Sequence, residues 1–140
     1  MAMDTTVVCY KAGEIPLVEY AQRKADRDVL VKLVVKKVPL RMKYLAMRHA
    51  RTDFPILTCA VSDLYDTWRA AVGARPMRAA LVLNENEVVT MVNEETAKAF
   101  GINVSEKLSF GSNMRASAQY RQQICAVLVK RALLEAGGEV

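Results

Sequence analysis

The hydrophobic positions of this chain follow one period up to about residue 80 and another beyond it. TTVVCY, Thr5 to Tyr10, is a short β-rich run, and Gly13 in the KAGE that follows supplies a turn. IPLVEYAQRKADRD is mixed and polar and predicts an irregular connection or a single helical turn. VLVKLVVKK, Val29 to Lys37, is dense in β-branched residues and stops before Pro39, the pattern of a buried strand. In LRMKYLAMRHA, Leu40, Met42, Tyr44 and Ala46 alternate with Arg41, Lys43 and Leu45, which predicts a strand with one wet face. Phe54-Pro55 restarts the chain into the strand ILTCAVS, and Asp63 to Thr67 turns it into a further strand in WRAAVGARP. So short a link makes those two antiparallel, and with Leu40 to Ala50 they form a three-stranded meander. Gly73 reads as a bulge in preference to a close approach of another backbone.

After Arg78 the period lengthens towards 3.6. Asn84 with Glu87 three residues on is a capping signal, Val88, Met91, Val92 and Ala99 recur at helical spacing, and Gly101 is the expected stop. One helix, or two broken near Asn93, satisfies this pattern. SEKLSFGSN is loop-like, and Ser117 can cap a final helix that carries Ile124, Cys125, Leu128 and Ala132 on one face. That helix ends at Gly137-Gly138, with Lys130 and Arg131 towards the negative end of its dipole. Strands first and helices last predict an α+β domain, a three-stranded antiparallel sheet packed against a small helical bundle.

The chain has 140 residues, enough for one domain or one domain plus a piece of another; 52% hydrophobic and 25% charged residues argue against extensive disorder. No run approaches the roughly twenty apolar residues that cross a bilayer, and MAMDTTVVCY has no basic segment before an apolar one, so the expectation is a soluble cytoplasmic protein. Cys9, Cys59 and Cys125 are far apart and odd in number, and His49 is the single histidine. A disulfide framework and a protein-only metal site are therefore not expected, and the thiols read as buried structural groups. The net charge of +5 suits nucleic acid or an anionic cofactor, but the basic residues are spread along the chain and aromatics are only 6%.

The six glycines never cluster into a phosphate-cradling loop, and neither G-x-G-x-x-G nor a P-loop occurs. His49 would have to serve any histidine-dependent mechanism alone and reads as a surface residue or a support for a neighbouring group. The carboxylate pairs Glu94-Glu95 and Asp26/Asp28 are explained by solvation. No catalytic residue is assigned.

MRASAQYRQQICAVLVKRAL resembles the signature helix near the end of the FAD-binding subunit of molybdenum hydroxylases, the xanthine dehydrogenase and carbon monoxide dehydrogenase family. The family pattern R-x-S-A-x-Y-R is filled here by Arg115, Ser117, Ala118, Tyr120 and Arg121. HARTDFPILTCAVS is similar to the family's strand after a basic turn, and WRAAVGARPMRA to its next strand, with a connection about one residue shorter. Upstream, EIPLVEYAQRKADRDVLVKLVVKK is similar to the last segment of the family's FAD-binding domain. The resemblance covers nearly the whole chain through three ordered motifs, each moderately specific alone.

It implies that residues 1–38 are the tail end of an FAD-binding domain and residues 39–140 the C-terminal domain of a CO dehydrogenase flavoprotein-like subunit, as a fragment or the product of a split gene. The family's longer N-terminal region, whose Gly- and Ser-rich loops hold the flavin diphosphate, has no counterpart before Val29. In such enzymes a molybdenum cofactor hydroxylates substrate with water, electrons cross two [2Fe-2S] clusters to FAD, and FAD passes them to NAD or another acceptor. The implied partners are iron-sulfur and molybdenum-cofactor subunits and the missing FAD-binding region. By position in the family, Leu30 is implied to lie against the flavin ring, and Arg48 near its pyrimidine edge, where a cation would stabilise the reduced ring. The family often has consecutive arginines at that turn, whereas Arg48-His49-Ala50-Arg51 separates them. Arg115 and Arg121 are expected to anchor the loop before the last helix by hydrogen bonds to backbone carbonyls or carboxylates, a structural role in preference to a catalytic one. The alternative reading, from the residues alone, is a freestanding basic module that binds nucleic acid or a protein.

Overall fold

The computed structural model describes residues 1–24, 26–84, 89 and 91–138. β1 (Thr5–Cys9), β2 (Gly13–Pro16) and β3 (Leu30–Val35) form a first antiparallel sheet in the order β2-β1-β3. Gly13 takes φ 72 at the return between β1 and β2, a conformation that costs glycine nothing. Asp28 closes that return, its carboxylate accepting from the amides of Lys11 and Ala12, each at 2.8 Å. These amides, Lys11 foremost, hold the Asp28 carboxyl below the usual carboxylate range. The polar stretch expected to be irregular becomes β2 followed by α1 (Leu17–Gln22), and Leu17 and Tyr20 cover a small core of Val7, Cys9 and Ile15.

β3 overturns the expectation of a buried strand, because all six of its residues are exposed. Its composition is that of a strand buried on both sides, but α1 lies over β1 and β2, and among the described residues no layer covers β3.

β4 (Arg41–Met47), β5 (Leu57–Leu64), β6 (Thr67–Gly73) and β7 (Ala80–Leu83) build the second sheet, antiparallel throughout and in sequence order. The expected three strands are present; the fourth, β7, lies where the pattern predicts a turn to helical spacing. A short apolar run such as Ala80-Leu81-Val82-Leu83 has no period of its own, and pairing with Arg69 to Val72 decides it. Tyr65 and Asp66, both at φ 55, make the tight turn between β5 and β6. Gly73 is not a bulge: it pairs in register with Thr58, and a Cβ there would lie 2.7 Å from Thr58 Oγ1.

α2 (Glu94–Lys107) and α3 (Ala118–Gly137) cover one face of this sheet. Leu57, Cys59, Val61, Ala70 and Val72 point from the strands into Phe100, Val104, Val129, Ala132 and Leu133 of the helices, all essentially inaccessible. α2 starts at the expected break: Asn93 Oδ1 accepts from the Thr96 amide at 2.9 Å, and the Thr96 hydroxyl lies 3.1 Å from the Asn93 amide. Asn84 caps no helix; its side chain makes two 3.1 Å hydrogen bonds to the backbone of Val89, while Glu87 and Val88 lie outside the described residues. Met91 and Val92 precede α2 rather than belonging to it. Gly101 does not end a helix either. It sits inside α2 where α3 crosses, and a Cβ would come 2.4 Å from the Ala126 carbonyl oxygen. Ser117 caps α3, accepting from the Tyr120 amide at 3.2 Å, and Gly138 closes it at φ 87.

The two sheets are tied by polar contacts. Ser62 Oγ donates to the Ala2 carbonyl at 2.5 Å, and Tyr65 Oη donates at 2.7 Å to the carboxylate of Asp4, which also pairs at 2.9 Å with Lys36 of its own sheet. Lys36 first, then Tyr65, holds the Asp4 carboxyl below its usual range. Arg78 reaches from the β6–β7 connection to the carbonyls of Ala21 and Arg23.

Two outcomes follow from this packing. Gly101→Ala should destabilise the protein by about 1–3 kcal/mol, because overpacking against a backbone carbonyl outweighs the roughly 1 kcal/mol that alanine gains as a helix former. Denaturant midpoints test this, and a midpoint equal to or above wild type would show that the helices separate freely. Burial pushes the Cys125 thiol up to about 12 and the Cys59 thiol higher still. The thiols should resist alkylation in the native protein at pH 8 and react in denaturant. Stability should also decline as pH rises above the ordinary thiol value of 9.0, since only the unfolded chain then ionises them.

Candidate functional site

Three connections meet at one end of the second sheet: residues 48–56 between β4 and β5, 74–79 between β6 and β7, and 108–117 between the helices. Arg121, in the first turn of α3, pins the first and the last of them together. The residue is 1% exposed, and every hydrogen bond it makes ends on a loop or a strand entry. Nε donates to Ile56 O at 3.0 Å, Nη1 to Gly111 O at 2.6 Å and Ala116 O at 2.7 Å, and Nη2 to Asn113 Oδ1 at 2.6 Å. Burial, reinforced by the nearby Arg115 charge, lowers its pKa from the ordinary arginine value. A guanidinium stays protonated regardless, so the four acceptors must satisfy a full charge.

The other loop contacts extend this centre. The Gly111 amide donates to Arg75 O at 3.0 Å, and Arg75 Nη1 donates to Ser109 O. His49 Nε2 meets Arg115 O at 3.1 Å, which places the single histidine as a support for a neighbouring loop. The Arg115 guanidinium lies over the Phe54 ring, 5.3 Å from its centroid. Phe54, Pro55, Met77, Asn113 and Arg115 line an open cleft of about 470 Å³ between the three loops.

The sequence-predicted residues fall on different sheets. Leu30 opens β3 with its side chain 45% exposed. Arg48 follows β4 and is exposed, with Nη1 donating to Asp53 O at 2.6 Å across its own loop. The carbonyl bond orients Arg48 without cancelling its charge. The expected carboxylate pairs are used structurally: Glu94 meets Lys130, and Asp26 Oδ1 accepts from the Asp28 amide at 3.1 Å. Among the described residues no group of three or more His, Cys, Asp or Glu is placed to hold a metal ion. Among them also, no helix is long and apolar enough to cross a membrane.

Phe54, Asn113 and Gly111 were not legible as site residues. Their role arises only where loops distant in sequence meet, and the one signal in the chain was the close spacing of Arg115 and Arg121.

A four-stranded antiparallel sheet backed by two crossed helices, with a buried arginine at the head of the second, is an α+β domain. Residues 43–136 match the CO dehydrogenase flavoprotein C-terminal domain family, and the chain belongs to it. The fold is similar to that of quinoline 2-oxidoreductase from Pseudomonas putida 86, with TM-score 0.83 and 18% identity over 99% of this chain and 54% of that one. It is also similar to carbon monoxide dehydrogenase from Hydrogenophaga pseudoflava, solved lacking the Mo-pyranopterin moiety of the molybdenum cofactor, with TM-score 0.73 and 18% identity over 98% and 53% of the two chains. The chain thus spans about half the length of these solved structures. No curated protein matches it by sequence.

Arg121→Ala should cost about 3 kcal/mol or more, because it strands three carbonyls drawn from two connections at once. Arg121→Lys should recover only part of this, since one ammonium cannot reproduce the planar fork. Denaturant unfolding of both variants measures the effect, and a wild-type midpoint for the alanine variant would remove the residue from its structural role.

Proposed function

We propose that this chain is the C-terminal part of the FAD subunit of a molybdenum hydroxylase of the xanthine dehydrogenase type. Residues 1–38 are the tail end of the FAD-binding domain, and residues 39–140 are the C-terminal domain that helps to close the flavin site. The observation that carries this reading is β3, a strand of core composition with all six residues exposed, beside a domain whose family is that of flavoprotein C-termini. Such a strand loses the roughly 25 cal/mol per Å² of apolar burial that its side chains would gain under a covering layer. The remaining FAD-binding region of the subunit supplies that layer.

FAD, when bound, supplies two-electron and one-electron chemistry between iron-sulfur clusters and NAD or another acceptor. This chain's own residues do the positioning. Leu30 presents an aliphatic surface that excludes water from one side of the site. Arg48, oriented by Asp53 O, offers a positive charge to the electron-rich edge of a reduced ring. No residue here holds the diphosphate, and the molybdenum cofactor and [2Fe-2S] clusters belong to partner subunits. The cytoplasm is the compartment that suits three buried, unpaired thiols. A second reading, a freestanding basic module for nucleic acid or a protein, draws on the arginines gathered at the loop end.

The chain alone should bind FAD weakly or not at all, and FAD should bind once the chain is co-expressed with the upstream FAD-binding region of a related subunit. Absence of flavin from a well-formed complex of the two would defeat the reading. Leu30→Ala and Arg48→Ala in that complex should lower flavin affinity or shift its potential, while leaving the melting temperature of the isolated chain unchanged.

A further inference from the structure

Five of the eleven arginines, Arg48, Arg51, Arg75, Arg78 and Arg115, lie in the three loops that meet at one end of the second sheet, against a single acidic residue, Asp53. In the sequence they are spread over 68 positions, from 48 to 115, and the loop contacts collect them. Arg48, Arg75 and Arg78 donate to backbone carbonyls, which fixes their direction and leaves their charge in place. Arg51 has no hydrogen-bond or ion-pair partner among the described residues and is exposed. Side chains of another kind stand among them. Phe54 is 72% exposed, Met114 95% and Met77 46%, the first and last of these lining the cleft beside Arg115.

We propose that this end of the domain is a docking surface for an acidic face of a protein partner, with Phe54 and the two methionines as its apolar centre and Arg51 and Arg115 as its charged rim. Arginine, aromatic residues and methionine are the side chains enriched in protein interfaces. Arg115 already rests on the Phe54 ring, so both enter the contact with little rotamer freedom left to lose. Charge complementarity selects the partner's sign: one carboxylate among five guanidiniums leaves a local positive field that an acidic surface would neutralise. Nucleic acid fits less well. Stacking of bases requires an open aromatic face, and Phe54, the only aromatic of the cleft lining, has one face taken by Arg115. Exposed methionines contribute nothing to a phosphate track. The proposal stands apart from flavin binding, because its apolar centre and charged rim include neither Leu30 nor Arg48.

The test measures fluorescence anisotropy of the full chain with three labelled probes at one salt concentration: a peptide of alternating glutamate and leucine, poly-L-glutamate, and duplex DNA of random sequence. The peptide should bind best, and more weakly as salt rises. Arg51→Glu with Arg115→Glu should weaken peptide binding by about tenfold or more, whereas the equal charge change Lys32→Glu with Lys98→Glu, on exposed residues elsewhere, should change it less than about twofold. Phe54→Ser should weaken the peptide and leave poly-L-glutamate unchanged. Arg51→Glu alone keeps the test readable if the double variant is unstable. Tighter binding of DNA than of the peptide would assign the surface to polyanions. An equal loss in the lysine variant would reduce it to diffuse charge, and an unaffected peptide in Phe54→Ser would remove the apolar centre; each of these results overturns the proposal.

Discussion

A full positive charge buried where water does not reach must be met by acceptors, and Arg121 is such a charge, with four hydrogen bonds from its guanidinium. Its acceptors are a strand entry, two loop carbonyls and an asparagine side chain, drawn from the β4–β5 connection and from the loop between the helices. Because the desolvation cost is met only when all of them arrive together, the group acts as a gauge on the fold. The start of α3, the direction in which the chain enters β5 and the path of residues 108–117 are set by one side chain. The remaining loop, 74–79, is then held through Gly111 and Ser109. The positions of Phe54, Arg115 and Arg48 depend on this arrangement, since each is carried on a loop that Arg121 fixes.

Elsewhere the domain is held by burial. The second sheet gives one face to α2 and α3, and Gly101 allows the helices to approach until backbone meets backbone. The first sheet has a much smaller core of Val7, Cys9 and Ile15, and it relies on the ties from Asp4, Ser62 and Arg78 to the larger unit. β3 lies at its open edge. The contrast between a well-closed helical layer and an uncovered apolar strand is what gives the flavin-subunit reading its physical content. The uncovered apolar strand is on the first sheet, whereas the gathered positive charge is at the loop end of the second.

This separation bears on how such a domain would work in a larger enzyme. Under the proposed flavin role, a site closed from one side needs a rigid backing and a correctly placed cation more than a catalytic residue, and Arg48, tied to Asp53 O, would be that cation. A protein partner docking at the arginine end would approach without disturbing the uncovered strand. The side chains that face outward there are braced by contacts that leave their charge intact.

Much of this was legible in the chain. The turn before Trp68, the cap at Ser117 and the Gly137-Gly138 stop are local patterns whose outcome depends on neighbours a few residues away, and they form as read. The strand in Leu40 to Ala50 also forms, but with its faces exchanged: Met42 and Tyr44 are exposed, while Leu45 and Met47 pack against the core, because the helices cover the opposite face. The motif around Arg115 to Arg121 carried the family as well. The readings that failed were those in which a local pattern admits two outcomes. Gly101 looked like a helix stop because glycine both ends helices and permits close crossings, and only α3 decides between these. Ala80 to Leu83 has too short a run to show a period, and β6 decides it as a strand. Val29 to Lys37 has the composition of burial but no covering layer among the described residues. The dispersed arginines looked like general surface charge, because charge density is a property of space rather than of sequence. The sequence by itself determined which segments are strands and helices wherever short-range periodicity and caps suffice, together with the family to which they belong. The tertiary structure alone decided which glycine is a contact, which strand is left open and which charges stand together, because each depends on segments that meet only after the chain has folded.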